Sequence, residues 1–384
     1  MTPTPFRAHV PDAAIDDLKM RLALTRFPDQ PPGAPWATGT DLAWMRELAE
    51  HWRTRFDWRA QEARLNAFPQ FKVPLAGIEL HYIHAPGEGP APLPLLLSHG
   101  WPGSVFEFLD LIPRLTHPER FGGDPADAFT VVAPSLPGYG FSFAPGQPRL
   151  SVEQMADAFA TLMADVLGYR RFATQGGDWG ASVSARLGFA HPQQTIGVHL
   201  NLLPLRRDAK PRPDASEAER RYLGELQHWL SEETGYSTQQ GTRPQTLAYG
   251  LTDSPVGLAA WIAEKMRAWS DCGGDVESVF GKDEILANVS LYWFTGAIGS
   301  SFWPYYARHH GPWPIPDGAT VDVPMGYCEF PTEIVRPPRS LAERTFTDIR
   351  RWSVMPHGGH FAAMEQPAAL AEEIRAFYRP LRGT

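Results

Sequence analysis

Cysteine is scarce: Cys272 and Cys328 are the only two in 384 residues. Two isolated thiols give neither a disulfide framework nor a CxxC zinc knuckle, so a reducing, cytoplasmic setting is expected. Long apolar runs are lacking as well. No stretch of about 18 apolar residues occurs, and the opening MTPTPFRAHVPDAAIDDLKM has no apolar segment behind a basic start. Neither a signal peptide nor a membrane anchor is therefore expected. Dense basic runs are missing too; 35 Lys and Arg stand against 43 Asp and Glu, a net charge of −8. That balance argues against nucleic acid as a partner.

What is present suits a packed globular protein: hydrophobic residues make up 43% and aromatics 12%. A chain of this length can bury a large core and carry a subdomain. Residues 1–71 read as helical, with Ile15, Leu18 and Leu22, then Leu42, Met45, Leu48 and Trp52, at helical spacing. From 72 to 205 the texture turns to strands alternating with helices. IELHYIHA (78–85), LPLLLSHG (93–100) and FTVVAPSLPG (129–138) have the look of buried strands. Ser151 and Gln154 form a capping-box pattern ahead of Met155, Phe159, Leu162 and Val166. Residues 206–318 break the alternation with helical patterns, one capped by Ser254 and opened by Pro255. Strands return in TVDVPMGY (320–327) and RRWSVMP (350–356), and Leu370, Ile374 and Phe377 mark a last helix in 319–384. The expectation is an α/β fold with a mostly parallel central sheet, an inserted helical cap and an amino-terminal helical extension.

The chemistry centres on GGDWGASVSA (176–185). A strand, a tight turn and a helix with Gly176, Asp178 and Gly180 at the bend match a nucleophile elbow, in which a cramped turn exposes the middle residue. Here that residue is a carboxylate, and the positive end of the following helix favours an anion there. A carboxylate displaces a leaving group at saturated carbon and forms an alkyl ester. Water must then cleave the ester, which takes a base and an oxyanion hole. His360 in GGHF (358–361) and Glu333 in FPTE (330–333) follow late strands, in the chain order nucleophile, acid, base of α/β-hydrolases. The backbone N–H groups of Trp101, in SHGWPGSVFEF (98–108), and of Trp179 are the oxyanion-hole candidates. LPGYGFS (136–142) lacks the third glycine of a dinucleotide fingerprint and reads as a loop beside the site. His357, His309 and His310 lack further ligands at useful spacing, so no metal and no cofactor is expected.

With these residues assembled, the chain resembles the epoxide hydrolase branch that contains the microsomal and juvenile-hormone epoxide hydrolases of the α/β-hydrolase superfamily. TRFPD (25–29), HGWPGS (99–104), GGDWG (176–180), DSPVGLAAWI (253–262), YWFTG (292–296) and GGHFAAMEQP (358–367) carry the resemblance in the family's order. It implies Asp178 as nucleophile, His360 as base, Glu333 as its acid partner, and two lid tyrosines on the epoxide oxygen. Tyr236 matches the first, and Tyr305, next to Tyr306, the second. Trp101, Trp179 and Tyr305 would contact a small apolar epoxide, with water as co-substrate. WFTG (293–296) and SFWPYY (301–306) suggest an apolar pocket. A homodimer is left open. Two rival readings keep the same pocket: a haloalkane-type dehalogenase with Trp179 near the halide, and a non-catalytic ligand-binding homologue.

Overall fold

The computed structural model describes residues 2–205 and 215–383. Nine strands among them form one sheet: β1 (Thr4–Phe6), β2 (Gln70–Leu75), β3 (Ile78–Ala85), β4 (Leu93–Ser98), β5 (Phe129–Pro134), β6 (Phe172–Gly176), β7 (Thr195–Leu200), β8 (Met325–Glu329) and β9 (Ile349–Val354). Their spatial order is β1-β2-β3-β5-β4-β6-β7-β8-β9. The pairings from β5 through β9 are parallel, and those among β1, β2, β3 and β5 antiparallel.

The near-continuous apolar runs of the central strands arise because both faces of the sheet are covered. Side chains alternate between faces along a strand. Leu96 and Val132 accordingly pack with Met155, Phe159, Val183 and Leu187 of the helices Val152–Thr161 and Asp178–Ala190. Their neighbours Leu95, Leu97, Val131 and Ala133 join Leu111, Leu370, Ile374 and Phe377 on the other side. The capping box forms as expected, with the Ser151 side chain on the Gln154 amide and the Gln154 side chain on the Ser151 amide.

Two readings change in detail. The amino-terminal segment begins with a strand, β1, where only helices were expected. The strand expected at 320 begins at Met325; Val321 makes a single bridge to Phe346, and Pro324, which has no N–H to donate, stands between.

Helices from Glu217 to His310 lie between β7 and β8 in the chain and form a lid that meets the loop after the carboxyl end of β4, where Asn288 and Tyr292 bond to Pro102 and Gly103. The amino-terminal helices brace it. From the helix Leu42–Thr54, the buried Trp52 indole donates to Ser290 Oγ at 3.0 Å. Thr40 donates to the Ala260 carbonyl at 2.8 Å, and Arg21 pairs with Asp253 at 3.0 Å. Among the described residues no helix is long and apolar enough to cross a membrane.

Candidate active site

Asp178 follows β6 after the single residue Gly177 and opens the helix Asp178–Ala190 with φ at +46°. This left-handed conformation is costly for a residue with a Cβ, and such strain persists only where the surroundings enforce it. They enforce it by crowding. A Cβ on Gly180 would lie 1.9 Å from the Ser98 carbonyl oxygen, and one on Gly100 would lie 2.0 Å from Asp178 Oδ1. The glycines thus let the ends of β4 and β6 close around the carboxylate. The Trp101 N–H donates to Asp178 Oδ1 at 2.7 Å. Trp179 sits in the first helical turn, whose amides have no acceptor within the helix.

The other two candidates converge from the far side of the sheet. Glu333 follows β8 and His360 follows β9, and both are buried. His360 Nδ1 lies 2.6 Å from Glu333 Oε1, and Nε2 lies 3.5 Å from Asp178 Oδ2. Burial disfavours the charged imidazole, yet Glu333 and Asp178 together outweigh it and push the His360 pKa up to about 10. Glu333 Oε1 also accepts the Ile334 N–H at 2.7 Å, which fixes the carboxylate plane.

The lid supplies two phenols. Tyr236, in the helix Gly235–Thr242, stacks on Trp101 with ring centroids 5.2 Å apart and an interplanar angle of 11°. Tyr305 stands at right angles to Trp179, with centroids 4.8 Å apart, and 5.8 Å from Tyr236. Burial, Tyr236 and Asp178 raise the Tyr305 pKa well above the usual phenol value, so it stays protonated. Asp178, Tyr236 and Tyr305 line one cavity of ≈ 340 Å³. Tyr306 does not line it and instead stacks with Trp303 and His310.

Comparisons with known proteins identify the family. Residues 3–108 match the family model "Epoxide hydrolase N terminus", and residues 94–196 match the α/β-hydrolase fold. Epoxide hydrolase 1 of Oryctolagus cuniculus is 35% identical over 401 residues, which cover 97% of this chain and 88% of that protein. The chain belongs to the epoxide hydrolase family. A Stigmatella aurantiaca (strain DW4/3-1) protein, itself a candidate epoxide hydrolase, is 45% identical over 379 residues, covering 99% of this chain and 85% of that one. The crystal structure of juvenile hormone epoxide hydrolase from the silkworm Bombyx mori superposes with a TM-score of 0.87 at 30% identity, covering 99% of this chain and 95% of that one. The enzyme is thus an epoxide hydrolase with the α/β-hydrolase fold, which favours ring opening over the dehalogenase and non-catalytic alternatives.

Within this epoxide hydrolase, one buried carboxylate beside the site has no signal in the sequence. Glu107 lies in the apolar run VFEF and reads as one more surface carboxylate. It shares a small cavity of ≈ 20 Å³ with Asp178, His360, Gln175 and Asn201, about the room one water needs. Burial and the Asp178 charge push the Glu107 pKa up to about 8, against the opposing pull of His360. Trp101 belongs to this small cavity and underlies Tyr236, whereas Trp179 lines the larger one. The apolar wall expected from WFTG and SFWPYY comes mostly from elsewhere. Of those segments only Tyr305 lines the large cavity, while Leu202, Leu205, Trp229, Leu230 and Trp313 supply its apolar surface. Phe294 turns away and packs on Trp58.

The loop bearing Trp101 is held from both sides. His99 Nδ1 donates to the Gly100 carbonyl and Nε2 accepts the Leu136 N–H, each at 3.1 Å, a neutral pairing consistent with burial that lowers the His99 pKa to about 4. From the lid helix Lys282–Thr295, Asn288 donates to the Pro102 carbonyl at 2.7 Å and Tyr292 to the Gly103 carbonyl at 2.8 Å.

Proposed function

We propose that the enzyme, a member of the microsomal and juvenile-hormone branch, converts apolar epoxides to vicinal diols in two steps. In the first, Asp178 Oδ2 attacks a ring carbon, the carbon–oxygen bond of the epoxide breaks, and the ring oxygen takes a proton from Tyr236 or Tyr305. The opened ring is a poor leaving group as a bare alkoxide, so donors that stay protonated lower the barrier. Trp101 N–H keeps Oδ1 in place as the future ester carbonyl.

In the second step His360 takes a proton from water, whose oxygen adds to the Asp178 carboxyl carbon. The charge gathered on Oδ1 is met by the Trp101 and Trp179 N–H groups, and the bond from the carboxyl carbon to Oδ2 breaks. Oδ2 takes the proton from His360 and leaves with the diol, and the second proton of the added water returns to the tyrosinate, which restores the Asp178 carboxylate. Esterification also prepares the base: it neutralises Asp178, removing one of the two anions that hold the His360 pKa near 10. The small cavity bounded by Asp178, His360 and Glu107 is the space for the attacking water.

The observation that carries this reading is the convergence on one carboxylate: Asp178 meets the Trp101 N–H, His360 and the tyrosine-lined cavity at once. The apolar walls favour aryl or alkyl epoxides. The test is to incubate the H360Q variant with styrene oxide and weigh the peptide containing Asp178. An added styrene oxide mass is expected; an unmodified peptide in a folded variant contradicts the mechanism.

A further inference from the structure

The loop bearing His360 has no regular ladder to take up its amides, and buried amides need acceptors. The lid provides them. Where the helix Pro255–Trp269 ends, the Trp269 carbonyl accepts the His360 N–H at 2.9 Å, and the Asp271 carboxylate accepts the Gly358 N–H at 2.9 Å. Glu365 answers from the core: its carboxylate accepts the Asp271 N–H at 2.8 Å and the Phe361 N–H at 3.0 Å. A lid carboxylate holds a core amide, and a core carboxylate holds a lid amide.

The approach is close enough to dictate sequence. A Cβ on Gly359 would lie 2.5 Å from the Trp269 carbonyl oxygen, so any larger residue there would push the two segments apart. The Trp269 ring stands edge-on to the imidazole with centroids 5.0 Å apart. The clasp therefore encloses the catalytic histidine's own backbone and ring.

We propose that Asp271 and Glu365 are positioning residues for His360, locking the lid to the 358–361 loop so that Nε2 stays beside Asp178 while Nδ1 stays on Glu333. The inference rests on His360 being the base of ester hydrolysis. Because ring opening does not use that base, loosening the clasp slows the second step and spares the first. A misplacement of about 1 Å costs on the order of 100-fold in rate.

The experiment is single-turnover rapid mixing of the full chain, in excess, with styrene oxide. Ester on the Asp178 peptide is followed by mass spectrometry and diol by chromatography, for wild type, D271A, D271N, E365A and E365Q. D271A and E365A should lower the ester-hydrolysis rate constant by about 10- to 100-fold, leave ester formation unchanged and accumulate ester. D271N, which keeps an oxygen for the Gly358 N–H, should restore hydrolysis. E365Q, with one acceptor for two amides, should fall between. Equal slowing of both steps, or unchanged hydrolysis, overturns the proposal; if the alanine variants fail to fold, E365Q against wild type decides by the same criterion. Absence of ester in every protein, wild type included, sinks the underlying mechanism and the clasp with it, whereas ester that forms and turns over normally in the variants sinks the clasp alone.

Discussion

His360 Nε2 stands 3.5 Å from Asp178 Oδ2. The imidazole thus feels two carboxylates, and the nucleophile's charge helps decide the protonation of the base. In D178N one anion is gone, while burial and Glu333 remain. The His360 pKa is expected to fall from about 10, as read from the imidazole nitrogen shifts in an NMR titration of D178N. A value unmoved from wild type means the two groups do not communicate.

The lid phenols divide by position. Tyr305 lines the large cavity and Tyr306 does not. Losing one preorganised donor to a developing oxyanion costs about 10²- to 10³-fold, so Y305F and Y236F should each slow ester formation on that scale. Y306F should leave it unchanged. Rapid-mixing measurement of ester formation checks all three, and a large loss in Y306F would reassign the donor.

Stability should decline as pH rises above 7. Glu107 is raised from 4.5 to about 8 and Glu365 from 4.5 to about 7, both by burial. Between the unfolded and folded values the native state holds more protons than the unfolded chain, so unfolding becomes easier with each step upward. His360 acts in the same direction: its stabilising contribution is complete below 6.5 and lost as pH passes through about 10. His81, His99 and His199, whose pKa values burial lowers to about 3 to 4, pull the other way up to 6.5 and add little above it, so thermal melts from pH 7 to 9 should show falling Tm, with a shallower fall in E107Q. A Tm that climbs over this range contradicts the burial of these carboxyls.

The brace between the amino-terminal segment and the lid should be measurable. Trp52→Phe leaves Ser290 Oγ without the indole N–H it accepts at 3.0 Å. Leaving a buried polar group unpaired costs about 1–3 kcal/mol, and denaturant unfolding should report a loss of that size.

The elements that could be read from sequence are those whose signals are local. The apolar runs of β4 and β5, the Ser151–Gln154 box and the glycines around Asp178 each state their role within a few residues. The strand β1 could not be read this way: three residues show no alternation, and its partner β2 begins at Gln70. Alternating Val321 and Val323 suggested an earlier start for β8, and Pro324 overrode them. Glu107 and Glu365 were hidden for a different reason. A carboxylate beside apolar neighbours looks exposed in sequence, and only the chain's return to the same place reveals that one faces the small cavity and the other takes lid amides. That Tyr305 lines the large cavity and Tyr306 does not likewise depends on the direction of one helical turn.

The central claim is a covalent bond between Asp178 and the substrate. One turnover with excess enzyme in ¹⁸O-labelled water tests it most directly. The account predicts a diol carrying unlabelled oxygen drawn from Asp178, with ¹⁸O left in the carboxylate; ¹⁸O in the diol after that first turnover would contradict it.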